Sequence, residues 1–142
     1  MEHGRGEHFG ELQFLATSED YQDRRRAAVR LARSADDPAA GALLRELVLD
    51  AEDTAVTLAA STALMERGDR AGLGILAAAL ATADDQQGNW IEAGVAEALG
   101  ESEEARDKAM AIARECFAGA VDDAARRGTE RLLSLLRTAG LQ

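Results

Sequence analysis

The residues best equipped for chemistry in this chain are few. His3 and His8 each follow a glutamate, Glu2 and Glu7. Imidazole and carboxylate together can hold a divalent metal, but only in a fixed geometry. The glycine-punctuated opening MEHGRGEHFG reads instead as a flexible, polar start over residues 1–7, so no metal site is expected. Cys116 is the sole thiol and has no histidine near it in sequence. It occupies an apolar helical position and reads as core packing, not as a nucleophile. The carboxylate pairs Asp36-Asp37, Asp84-Asp85 and Asp122-Asp123 have the composition for acid–base work. Each, however, stands where a helix begins, and capping of free backbone amides accounts for it. The run Arg24-Arg25-Arg26 has the donors to clamp a phosphate or carboxylate. Asp20 and Asp23 beside it offer the plainer role of local ion pairs on a solvated helix face. Gly72 and Gly74 do not form a phosphate loop; they fall inside a helical stretch, where their small size permits close packing. No catalytic constellation emerges, and no cofactor is implied.

The elements that carry these residues are helices. Hydrophobic residues make up 46% of the 142-residue chain, enough for one buried core, while aromatics are only 4%. One proline, Pro38, and no sustained alternation of apolar and polar residues argue against sheets. Residues 8–142 therefore read as one all-α domain of about eight helices. Phe9, Leu12 and Leu15 place a first helix over His8–Thr17, and Asp20 opens a second running to about Ala35. Asp37-Pro38 is a helix start of N-cap followed by proline in the first turn. Asp53 opens the next helix, and Gly68-Asp69 turns the chain into another over Arg70–Ala81. Ser102 caps a helix to about Phe117, and Asp122 or Asp123 opens the last. The stretch ADDQQGN, Ala83–Asn89, has the composition of a loop.

Tyr21–Asp50 and Asp53–Thr82 nearly repeat one another at a shift of 32 residues. Ala27-Ala28 falls on Ala59-Ala60, Asp37 on Asp69, and Leu43-Leu44 on Ile75-Leu76. A fixed period of this length, with two helices per copy, is the mark of a helical solenoid. A third copy aligns Trp90-Ile91 with Ala55-Val56 only if the shift grows to about 35 residues, the excess falling in Ala83–Asn89. The segment DTAVTLAASTALMERGDRAGLGILAAALA resembles the short bacterial HEAT-like repeat first noticed in phycobilin-attaching lyases. Asp53, Val56, Ala59, Ala60, Ala63, Leu64, Gly68 and Asp69 match that pattern, whose arginine position holds Thr57 here and Glu92 in the next copy. The resemblance implies an α-solenoid of about four helical hairpins, with the second helix of each lining a concave side.

On that arrangement one row of concave positions reads Arg25, Thr57, Glu92, Thr129 and another Arg30, Thr62, Glu97, Ser134. The surface would begin basic and end acidic. Residues 22–35 carry five arginines against Asp23, whereas residues 71–105 carry no basic residue and seven acids. Trp90, the only tryptophan, borders the expected loop and would anchor an interface if exposed. The net charge of −10 disfavours nucleic acid, where basic charge supplies most of the affinity, and favours a basic protein partner. A non-enzymatic protein-binding module is thus the leading expectation, with Arg25, Arg30, Thr57, Thr62, Trp90, Glu92 and Glu97 as candidate contacts. An immunity protein that neutralises a basic toxin is a sharper version. A HEAT-like enzyme, a bilin lyase or a DNA glycosylase, would want a chromophore pocket or a basic, aromatic-lined groove that the composition lacks. Leu132, Leu133, Leu135 and Leu136 exceed what one face of a terminal helix needs and suggest self-association there. A lone cysteine, the absence of a signal-peptide pattern and the absence of a long apolar run lead to the expectation of a cytoplasmic protein with no membrane contact.

Overall fold

A computed structural model describes the backbone of residues 2–139 and the side chains of residues 9–139. Helix α1 spans Glu2–Ala16, and α2 spans Tyr21–Leu31 with a short 3-10 turn, Ala32–Ser34, after it. There follow α3 (Pro38–Val48), α4 (Thr54–Arg67), α5 (Arg70–Leu80), α6 (Asp85–Leu99), α7 (Glu103–Ala118) and α8 (Asp123–Ala139). Among the described residues there is no strand, and no helix is long and apolar enough to cross a membrane. The eight α-helices match the expected number. α1 starts at Glu2, earlier than the expected His8.

The helix starts follow one chemistry. Asp20, Asp37, Asp53, Asp69, Asp84 and Ser102 each precede a helix in extended backbone and accept a hydrogen bond from an amide two or three residues on. Asp122 does the same for Ala125 at the start of α8. Each cap satisfies an amide that the helix itself leaves without a partner, worth about 1 kcal/mol.

One cap overturns a sequence expectation. Ala83–Asn89 is not an extended loop, because α6 starts at Asp85. Asp84 accepts from the Gln87 amide at 2.7 Å while the Gln87 side chain accepts from the Asp84 amide at 3.0 Å, a reciprocal capping box. The amide group of Gln87 then donates to the Leu49 carbonyl at 3.1 Å, tying this corner to the end of α3. Polar residues at a helix start imitate a loop in composition. The third copy is consequently not stretched: the caps of α2, α4 and α6 stand at Asp20, Asp53 and Asp84.

The even-numbered helices α2, α4 and α6 lie side by side with α4 in the middle. The odd-numbered helices α1, α3, α5 and α7 contact one another in the same sequential way, and the core forms between the two sets. Leu31, Leu44, Leu64, Leu76 and Ile91 are all fully buried in it. α4 and α6 approach closely at Gly94, where a Cβ would come within 2.7 Å of the Ser61 Cβ.

α8 departs from the alternation. It packs mainly on α5 and α7 and only marginally on α6. Gly128 rests on the Ala77 backbone so closely that a Cβ there would collide with the Ala77 carbonyl. Helices on two sides require a wide apolar sector, and Leu132, Leu133 and Leu136 are buried in it, with Leu135 half-buried. The C-terminal leucines are therefore core residues and not the free surface that their number suggested.

Candidate interaction face

Counting from the caps at Asp20, Asp53 and Asp84 puts the three parallel-row helices in register and shows which residues share a face. The second position holds Gln22, Ala55 and Gln86; the fifth, Arg25, Leu58 and Asn89; the sixth, Arg26, Ala59 and Trp90. The ninth holds Val29, Thr62 and Ala93, and the thirteenth Arg33, Glu66 and Glu97. Every one of these on α2, on the 3-10 turn after it (Arg33) and on α6 is exposed, while those on α4 are half-buried up to Glu66, which is exposed. The face runs from arginines on α2, across short side chains on α4, to Trp90 and Glu97 on α6.

The rows drawn from sequence do not form. Thr57 lies at the fourth position with Arg24 and is buried at 2% exposure, and Thr129 on α8 is buried too. Glu92 lies at the eighth position, which Ala28 and Ser61 fill inside the core. On α6 that position turns toward α8, and the Glu92 carboxylate accepts from the Thr138 hydroxyl at 2.7 Å. Arg30 sits at the edge of α2 beside α1, its guanidinium 3.8 Å from the Glu11 carboxylate. Of the predicted residues, Arg25, Thr62, Trp90 and Glu97 do share the outward face. The error was one of register: shifts of 32 and 35 residues displace rows that the caps set by 33 and 31.

Trp90 is 37% exposed and stands one turn before Gly94, which packs against Leu58, Ser61 and Thr62 of α4. Of the other large apolar side chains left exposed among the described residues, Tyr21 and Val29 belong to α2, whereas Phe14 and Val121 lie elsewhere.

The scaffold beneath is held by charged stitches between neighbouring hairpins. Arg24, only 7% exposed, donates to both carboxylate oxygens of Asp50 at 3.1 and 3.2 Å, and to the Ser18 and Glu19 carbonyls at 2.9 and 3.0 Å. Asp50 also accepts from the Asp53 amide at 2.9 Å, so one ion pair fixes the ends of α1 and α3 and the start of α4. Arg24 is thus a structural member of the arginine run, separate from the exposed Arg25 and Arg26. Arg67 bonds the Ala32 and Arg33 carbonyls at 2.9 and 3.1 Å and pairs with Asp69 at 2.7 Å. The Arg67 hydrogen bond, with that of the Gly72 amide, holds the Asp69 carboxyl below its ordinary range despite partial desolvation. Arg131 similarly bonds the Leu80 and Ala83 carbonyls that close α5. Cationic side chains on helix-ending carbonyls satisfy acceptors that have no partner within the helix. These long-range pairings have no signature in local sequence.

Among the described residues no group of three or more His, Cys, Asp or Glu is placed to hold a metal ion. Cys116 is half-buried, and the side chains of His3 and His8 lie outside the described set. Ser61 is buried with its hydroxyl lacking a partner among the described residues, inside the tight α4–α6 contact. No protein-family model matches the chain, and neither a curated protein nor a solved structure gives a match.

Proposed function

We propose that this chain is a short HEAT-like helical-repeat module that works without catalysis, by binding protein on the face of α2, α4 and α6. The single observation that carries the reading is the register of that face. Outward positions on three adjacent helices line up Val29, the half-buried Leu58 and Trp90 across one face, with arginines at its α2 edge and Glu97 at its α6 edge. A partly exposed tryptophan amid small apolar residues, rimmed by charge, is the composition of a contact surface. The alternating contacts of even and odd helices support the α-solenoid reading, with α8 turned inward at its end. The acidic α6 side fits a partner with a basic surface.

The test is a photo-crosslinking amino acid placed at Ala93, at the centre of the α6 stripe, with a control at Ala111, exposed on α7. Adducts expected from Ala93 and absent from Ala111 support the face, and their loss in Glu97→Lys places the acidic edge in it. Adducts from Ala111 alone would sink the assignment.

A further inference from the structure

The outward face has a property beyond being sticky: its two edges match each other. Counted from the caps, Arg26 on α2 and Trp90 on α6 hold the same sixth position, Val29 and Ala93 the same ninth, and Arg33, in the 3-10 turn that prolongs α2, and Glu97 the same thirteenth. Each pair is complementary in kind: guanidinium with indole face, apolar with apolar, cation with carboxylate. A two-fold axis in the plane of the face and parallel to α4 carries α2 of one copy onto α6 of the other without changing height along the helices. It places α4 on α4, where Ala55, Ala59 and Thr62 are short enough to let the two backbones approach. We propose that the face pairs with the same face of a second copy of this chain about such an axis.

This rests on the reading of α2, α4 and α6 as an interaction surface and names its occupant in the free protein. An isologous contact of this kind repeats every charge pair twice, which is what a basic edge facing an acidic edge provides. A heterologous partner would need the mirrored charge order on its own surface; a second copy already has it. Helices of 11, 14 and 15 residues set side by side give each copy a footprint of about 600 Å² from helix rise and spacing. That is below the roughly 800 Å² per partner of a stable complex, so the pairing is a reversible, concentration-dependent equilibrium. One contact opposes it: Glu66, at the thirteenth position of the central helix, meets Glu66 of the other copy near the axis. A basic partner bidding for Glu97 would have to open this dimer first.

Sedimentation equilibrium on the full chain tests the proposal. The expected result is a mass rising with concentration from 15.1 kDa toward twice that value, with Trp90 fluorescence shifting to the blue as the ring is covered. Arg33→Glu and Glu97→Arg should each abolish the dimer, and the two together should restore it, because the swapped charges meet again across the axis. Glu66→Gln should tighten it several-fold. All three positions are exposed, and circular dichroism unchanged from the parent confirms that the variants fold. A monomeric mass throughout the concentration range overturns the pairing, as does a dimer indifferent to both single swaps. If the chain stays monomeric while Ala93 crosslinks to another protein, the pairing fails and the interaction face stands. If Ala93 crosslinks to nothing, including its own copy, both fall.

Discussion

Arg24 is the residue on which the first two hairpins depend. Its stem and guanidinium are almost entirely removed from water, and its donors are divided between Asp50 and two carbonyls, Ser18 and Glu19, of the turn between α1 and α2. Replacing it with methionine keeps the bulk of the stem but leaves the Asp50 carboxylate, 11% exposed, beside nothing cationic. Removing one partner of a buried pair costs about 3–5 kcal/mol, far more than the pair contributes net. Arg24→Met should lower urea-unfolding stability by about 3 kcal/mol, and a double-mutant cycle with Asp50→Asn should return a large coupling. Arg25→Met, one residue on and exposed, should change stability by less than about 0.5 kcal/mol. Asp69 gives the pH counterpart. Its folded-state carboxyl is held below the ordinary aspartate value, first by the Arg67 hydrogen bond. A depressed carboxyl contributes stability that is complete above the unfolded value of about 3.9 and is lost as pH falls through the lower folded value. Asp69→Asn should therefore flatten the decline of melting temperature below about pH 4 while lowering it at neutral pH. Sequence placed Asp69 in the turn between two helices and Arg24 as one of three arginines. It did not show which arginine turns inward, because that depends on where Asp50 arrives from the neighbouring hairpin.

At the level of the helix, glycines separate what local pattern can say from what packing adds. Gly72 and Gly74 both read as packing residues, yet only Gly72 has a neighbour, the Leu64 backbone, that a Cβ would strike. Gly74 has nothing within 4 Å. Gly74→Ala should accordingly stabilise the protein by about 0.5–1 kcal/mol, the helix-propensity difference between the two residues. Gly128→Ala, which drives a methyl into the Ala77 carbonyl, should destabilise it by about 2–3 kcal/mol. Thermal melts of the two variants would give opposite signs, and equal signs would refute the α5–α8 contact. The helix starts were legible because capping is chemistry within three residues: Asp37-Pro38, Asp53 and Ser102 behave as their types dictate. The start of α6 is disguised: Asp84 and Gln87 carry a capping-box pattern, but Ala83–Asn89 has the polar composition of a loop.

For the whole molecule, α8 is the element that closes the structure. It lies on α5 and α7, contributes Leu132 and Leu136 to the core, and ties down the end of α5 through Arg131. Ending the chain after Ala120 would expose the apolar surfaces of both neighbours. The truncated protein should keep helical circular dichroism but lose a cooperative thermal transition and bind a hydrophobic dye. A sharp transition retained without α8 would show that the remaining helices fold on their own. The amino-acid sequence by itself determined that the described chain is all-helical, how many helices it holds and where most of them start, because periodicity and capping act over a few residues; the starts of α1 and α6 escaped it. It also held the near-repetition of residues 21–82 and the opposed charges of α2 and α6. Tertiary structure decided the register between copies, and with it which of Thr57, Thr62, Glu92 and Glu97 face outward. It decided too that the C-terminal leucines are buried. A shift of one residue between helices rotates every side chain by about 100°, the angle that 3.6 residues per turn imposes. Alignment of small, alanine-rich helices by residue type cannot resolve that step; the packing of Gly94 on Ser61 and of Arg24 on Asp50 does.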